Sequence, residues 1–293
     1  MNDFYNIQSE LDASVNFVAP ASVGFFEARY VRRERRYFSL YLSSQTGCAQ
    51  ACRMCHLTAT KQTQLVNATL RDYKEQAQEV FAHYATQPHA EFVHYNFMAR
   101  GEAFANPEFL DNPTEILTEL GELAIRRHLV PRFLISTIIP ASIAGVSLAH
   151  LFPLVTPEIY YSLYSTSETF RAKWLPKAAP VAAALQMLRE YQDAKRIVPK
   201  LHWAFIKGEN DSVQDVVDIC NAVKHYGLQA NLAIVRYNPY DATFGEESDD
   251  CTIDRNQKLM QEMLPGARVK KITRVGMDVA ASCGMFVGKD GKA

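Results

Sequence analysis

Strand and helix patterns alternate along this chain, and that order constrains its fold more than any other feature. Apolar runs rich in β-branched and aromatic residues begin at Arg36 (RYFSLYLS), Glu91 (EFVHYNFM), Pro131 (PRFLIST) and Glu158 (EIYYSLYS). Three more begin at Lys200 (KLHWAFI), Gln229 (QANLAIVRY) and Arg268 (RVKKITRV). Between them, segments such as LRDYKEQAQEVFAHYA and DSVQDVVDICNAVKHYG place apolar residues three and four apart, the helical period. Strands that alternate with helices predict βα units and a parallel sheet. About six such units fit an α/β fold of the partial (β/α)6 barrel kind better than a small doubly wound sheet.

The segment GFFEARYVRRERRYFSLYLSS reads as a β-hairpin with a charged turn. It predicts an N-terminal extension over residues 1–35 and a barrel over 36–293. The hairpin concentrates Arg29, Arg32, Arg33, Arg35 and Arg36. Such a run either grips phosphates or is a solvated tip that Glu34 partly neutralises. The chain as a whole carries a formal net charge of −1, so no global pull toward nucleic acid or membrane is expected. The uncharged stretch from Ile135 to Val155 is about long enough to span a bilayer. Its prolines, serines and His150 predict a buried strand end followed by a short buried helix instead. The opening MNDFYNIQSE lacks the basic and apolar regions of a secretory signal.

Three of the six cysteines, Cys48, Cys52 and Cys55, lie within eight positions as C-x3-C-x2-C. Zinc usually takes four ligands, often in two separated pairs. Here the nearest fourth ligand, His56, is adjacent to Cys55 and badly placed to close a tetrahedron. Three close thiolates suit a 4Fe–4S cluster with one iron left open. A reducing cytoplasm fits this usage better than a disulfide framework does. The cysteine loop directly follows the first barrel strand, and loops at strand carboxyl ends are where such barrels keep their chemistry.

More than the triplet is shared with known proteins. From about Glu27 to Phe286 the sequence resembles radical S-adenosylmethionine enzymes, specifically the ribosomal and transfer RNA adenine methyl synthases of the RlmN and Cfr family. SSQTGCAQACRMC is similar to that family's cluster loop, and MARGEAFAN to its Met-Gly-Glu-Pro segment. LIST, YSLYSTSETFRAKWLP, IKGENDS, VRYNPY and DVAASCGMF resemble five further segments in the same order. The resemblance implies that Cys48, Cys52 and Cys55 hold the cluster, and that Gly101, Glu102, Ser136, Ser162, Tyr164 and Asn238 bind S-adenosylmethionine. It implies a 5′-deoxyadenosyl radical, a methylated Cys283, an RNA substrate, and an electron donor such as a flavodoxin or ferredoxin. Glu27 resembles the family's proton-removing carboxylate if one residue is inserted in the hairpin.

The sequence departs from the family at several points. Tyr41 stands where the family has its resolving cysteine, Tyr164 where it has histidine, and Met54 where an aromatic residue is usual. Only some twenty-six residues precede Glu27, so the family's helical accessory domain is not expected. Cys251, in a polar stretch, is a substitute resolver if its loop covers the barrel mouth; Cys220, on an apolar helical face, reads as core. Two other functions stay open: a radical enzyme for another substrate without methyl-cysteine chemistry, and a catalytically idle RNA-binding relative.

Overall fold

The computed structural model describes residues 3–293. Ten strands form one sheet in strict sequence order. The first four are β1 (Tyr5–Gln8), β2 (Val15–Pro20), β3 (Phe25–Glu34) and β4 (Tyr37–Leu42), joined antiparallel. From β4 onward the pairing is parallel, through β5 (Phe92–Phe97), β6 (Val130–Thr137), β7 (Glu158–Ser162), β8 (Lys200–Trp203), β9 (Asn231–Ile234) and the short β10 (Val269–Lys271). The seven apolar runs seen in the sequence are these parallel strands. The linear order leaves the barrel open, as expected of a partial barrel. β1 and β2 were not anticipated, because SVNFVAP is too short a run to stand out. The expected division at residue 35 falls in the turn between β3 and β4, which remain partners in one continuous sheet.

The crossovers are carried by α1 (His56–Ala59), α2 (Leu70–Tyr84), α3 (Pro107–Asp111), α4 (Pro113–Ile125) and α5 (Leu148–Leu151). They continue with α6 (Glu168–Trp174), α7 (Val181–Lys195), α8 (Val213–His225) and α9 (Asp250–Met263). Helices start where a side chain can satisfy the free amides of the first turn. Thr69 with Asp72 forms a capping box on α2, and Ser212 with Asp215 does the same for α8. α9 is capped by Asp249, which accepts from the Thr252 amide at 2.7 Å. The uncharged stretch after β6 forms a 3-10 turn at Ala141–Ile143 and the four-residue α5. No helix among the described residues is long and apolar enough to cross a membrane.

Period-two alternation decides what each barrel strand shows to each side. On β4, Phe38, Leu40 and Leu42 are fully buried; the Phe38 ring stacks on Tyr84 of α2 at 4.4 Å. The intervening Tyr37, Ser39 and Tyr41 line the inner cavity. β5 repeats this with Val93 and Tyr95 in the core and Phe92, His94 and Asn96 on the cavity wall. The apolar face therefore packs under the helices, while the inner face is free to carry polar groups.

Candidate active site

The inner face encloses a cavity of about 800 Å³, lined from the cysteine loop at the strand carboxyl ends to residues at the strand starts. The Ser43-Ser44-Gln45 lead fixes the cysteine loop. The amides of Ser44 and Gln45 donate to the Arg100 carbonyl at 2.8 and 3.2 Å, and Glu102 donates its amide to Gln45 Oε1 at 3.2 Å. This approach requires a glycine at Gly101. Its φ is +88°, and a Cβ there would lie 2.6 Å from the Gln45 side chain. Two motifs separated in sequence thus dock as one unit.

Cys48, Cys52 and Cys55 all line the cavity. Burial raises the Cys48 thiol pKa to about 12, with Cys55 nearby adding to the effect. Burial likewise raises Cys55 to about 11 and Cys52 well above its ordinary value. Their ionisation is favoured by a cation brought close to them, as a bound metal would be. Among the described residues no three histidine, cysteine or carboxylate groups close around a single-ion site; the three cysteines border a wide space instead.

Five of the six predicted cofactor-binding residues converge on the same space, and Asn238 stands outside its lining. Gly101, Glu102, Ser136, Ser162 and Tyr164 line the cavity with the cysteines. Glu102 accepts from the amides of Phe104 and Ile138, both at 3.1 Å. Burial still lifts its pKa to about 7, partly offset by its hydrogen bond with Thr137. A buried carboxyl poised there gains from a cationic ligand, such as an amino acid's ammonium group. Ser136 and Ser162 reach one atom, His202 Nε2, at 3.0 and 2.9 Å. Tyr164 holds a left-handed conformation with φ +58°.

Asn238 donates to the Cys283 carbonyl at 2.8 Å and to Ser282 Oγ at 3.1 Å. Its Oδ1 is buried with no partner, and so is Asn96 Oδ1 on the cavity wall. Buried acceptors are rarely left unpaired, and the one on the cavity wall, Asn96 Oδ1, fits a ligand that brings donors. The residues present therefore suit a cluster held by three thiolates beside a polar, cationic small molecule.

Cys283 also opens on the cavity and is solvent-accessible there. The protein around it desolvates the thiol and raises its pKa, while Arg29 and Arg33 pull the other way. The segment around it runs as loop and turn, so side chains must satisfy its backbone. Asn16 donates to the Val279 carbonyl at 3.0 Å and Arg29 to that of Met285 at 2.7 Å. Arg100 and Gln62 both donate to the Val287 carbonyl, at 2.8 and 3.0 Å. The Gly284 carbonyl accepts from the His56 amide, which ties the segment to the cysteine loop at 2.9 Å.

Glu27 meets a different geometry from the one expected of a proton acceptor. It is fully buried and lies outside the cavity wall. Its oxygens take Arg100 at 2.6 Å, Asn16 at 2.9 Å, Arg29 at 3.0 Å and the Val287 amide at 3.1 Å. Burial alone would raise its pKa, but Arg100 and Arg29 hold it below the usual value. These contacts make Glu27 the centre of the clamp on the Cys283 segment. Tyr41 does line the cavity. Cys251 sits in the first turn of α9, exposed and away from the cavity lining, so the condition for its acting as a substitute resolver is not met. Cys220 is buried in the core of α8, as its helical face predicts.

Sequence reasoning missed Arg100 and His202. Arg100 precedes the Gly-Glu pair without any marker of burial, and His202 belongs to a strand that reads as ordinary apolar wall. Only the inward alternation of β8 distinguished it.

No protein-family model matches the chain. It is 26% identical over 277 residues to the dual-specificity RNA methyltransferase RlmN of Phenylobacterium zucineum, covering 91% of this chain and 68% of that protein. It is 27% identical over 278 residues to the ribosomal RNA large subunit methyltransferase Cfr of Clostridium botulinum, covering 89% of this chain and 72% of that one. The coverage of a second RlmN, from Methylocella silvestris, is 63% of its length. Among solved structures, a radical SAM methyltransferase from Sphaerobacter thermophilus superposes with a TM-score of 0.80 at 18% identity, over 97% of this chain and 81% of that one. The hydrogenase maturase HydG gives a TM-score of 0.57 at 13% identity over 80% of this chain and 52% of its own.

Proposed function

We propose that this chain, which is similar to RlmN and Cfr and shares the fold of a radical SAM methyltransferase, is an RNA adenine methyltransferase working through Cys283. One observation carries this reading: Cys283 opens on the same cavity as Cys48, Cys52, Cys55 and Glu102. Cys48, Cys52 and Cys55 would hold a 4Fe–4S cluster, and Gly101, Glu102, Ser136, Ser162, Tyr164 and Asn238 would hold S-adenosylmethionine. When bound, the pair supplies one-electron chemistry that the side chains themselves cannot perform.

The protein's part is placement and protection. Glu102 ionises against the ammonium of its ligand, and Asn238 offers an unpaired acceptor while gripping the Cys283 backbone. Among the described residues, Cys283 is the one cavity thiol outside the triplet and would carry the methyl group. Desolvation by the surrounding protein raises its pKa and Arg29 and Arg33 lower it, so these guanidinium groups favour its nucleophilic form. The clamp of Glu27, Arg100 and Asn16 holds that sulfur in place rather than moving protons.

Tyr41 favours a second reading, a radical enzyme on another substrate, because a phenol cannot form a disulfide with Cys283. Mass spectrometry of anaerobically purified protein separates the two. A methyl group on Cys283, with an adenine modification missing from the RNA of cells lacking the protein, is the expected result. Unmodified Cys283 in protein that cleaves S-adenosylmethionine to 5′-deoxyadenosine would overturn the first reading in favour of the second.

A further inference from the structure

The cysteine loop occupies only the strand-end half of the cavity; the strand-start half carries different chemistry. There the inward positions of successive strands are Tyr37, Phe92, His94, Arg132, Tyr160 and Lys200. Tyr37 stacks on Phe92 at 5.3 Å and on His94 at 4.6 Å. Arg132 lies over the Phe92 ring at 4.1 Å. Lys200 pairs with Glu158 at 2.5 Å and lies over the Tyr160 ring. Arg33, from the hairpin, leans toward the Tyr41 hydroxyl at the rim of the same space.

The carboxylates lining this half, Glu34 and Glu158, are outnumbered by Arg33, Arg132, Lys200, Arg268 and Lys270, so the charges here do not cancel. Arg33 and Arg132 are both exposed to the cavity mouth, and neither has a carboxylate within ion-pair distance among the described residues. Arg268 and Lys270 line the same mouth, also without such a partner. His94 registers the surplus: after burial itself, Lys200 and Arg132 are what drive its pKa down to about 4. A site with excess fixed positive charge, guanidinium groups and flat rings is complementary to a phosphate on an aromatic base. A purely solvated cationic rim would not need arginine aligned on an inward aromatic stack.

We propose that the strand-start half of the cavity is an anion subsite that takes a nucleotide phosphate, with Arg132 and Arg33 as its principal contacts. This rests on the reading of the substrate as RNA, where the phosphate would belong to the strand flanking the reacting adenosine. A free mononucleotide shares the chemistry, so the test has two arms.

The probes are a 5′-labelled adenosine-containing oligoribonucleotide, followed by anisotropy, and 5′-AMP, followed by calorimetry, both with anaerobically reconstituted holoprotein. Arg132→Gln and the double variant Arg33→Gln/Arg132→Gln are compared with wild type, with S-adenosylmethionine affinity and Tm as controls for folding. We expect the double variant to bind the oligonucleotide ten- to a hundredfold more weakly, with a shallower salt dependence, and S-adenosylmethionine unchanged. If the oligonucleotide binds wild type and variants alike, the subsite is refuted while the RNA reading stands. If only 5′-AMP binds and does so through Arg132, the subsite stands and the RNA reading falls. If neither probe binds wild type, the proposal is overturned.

Discussion

Arg100 Nε meets Glu27 Oε1 at 2.6 Å, and both side chains are fully removed from solvent. Around this pair, Asn16, Arg29 and Gln62 hold the backbone of the segment that carries Cys283. Glu27→Gln removes one charge and strands two buried guanidinium groups. Breaking a buried pair in this way costs about 3–5 kcal/mol. Urea unfolding of the variant is expected to show a loss of that size, with weakened order in residues 279–287 by hydrogen exchange. A Glu27→Gln protein of normal stability but no activity would instead restore the carboxylate as a proton acceptor.

His202 has one ring nitrogen within reach of two hydroxyls, Ser136 Oγ and Ser162 Oγ. Whichever tautomer is present, Nε2 serves one hydroxyl well, as acceptor or as donor, and the other serine keeps hydrogen-bonding capacity for a ligand. The ring is buried and its pKa falls to about 4, so it stays neutral in this work. His202→Ala should free both hydroxyls and weaken binding of S-adenosylhomocysteine, a non-reacting probe, by about tenfold, or about 1.4 kcal/mol. His202→Gln should recover part of the loss. Calorimetry that finds the three proteins equal would remove His202 from ligand positioning.

Stability should fall in mild acid. His94 and His202 titrate near 4 when folded but near 6.5 when unfolded, so the unfolded chain binds more protons between those values. Their contribution is complete above pH 6.5 and is lost as pH drops toward 4. His56 and His83 are shifted in the same direction. Glu102 works oppositely: raised from 4.5 to about 7, it favours the fold below pH 4.5 and loses that contribution as pH rises through 7. Several histidines outweigh one carboxyl, so the protein without its cofactors should lose stability between pH 6.5 and 4.5. Glu102→Gln should steepen that loss in urea titrations at each pH; an unchanged slope would show that Glu102 is not shifted.

The barrel was legible because its signal repeats. Each parallel strand shows an apolar run, and helices separate them at regular intervals. The cysteine triplet stood out by its short spacing, and the Gly101-Glu102 pair only through the family resemblance; the structure brings both to one cavity. The surroundings of Glu27 were not legible, for a physical reason. A carboxylate in a hairpin looks the same in sequence whether it faces substrate or two arginines, and Arg100 lies over seventy residues away. The role of His202 depends on which two strands flank β8, which only the sheet order reveals. β1 and β2 were hidden because edge hairpins need little apolar sequence once β3 offers a pairing surface.

Gly101 joins the two halves of the proposed cofactor site, and it tolerates no side chain for two independent reasons. Its φ of +88° is costly for any L-residue, and an added Cβ would come within 2.7 Å of the Gln45 backbone nitrogen as well as its side chain. The side chain of Gln45 cannot simply swing away, because its Nε2 already donates to Asn67 Oδ1 at 2.8 Å and its Oε1 accepts from Glu102. Backbone strain of this kind costs about 1–3 kcal/mol before any clash is counted. Relaxation must therefore move either the Ser43-Ser44-Gln45 lead or Glu102, and with it one wall of the cavity. Gly101→Ala is expected to lower Tm by several degrees and to reduce iron and sulfide retained after anaerobic reconstitution. Gly145→Ala, where φ is also positive but no atom lies within 4 Å of the new Cβ, separates strain from crowding. It should lose some stability yet keep its full iron content. Equal iron loss in both variants would mean that the docking of Gln45 on Gly101 does not hold the cysteine loop.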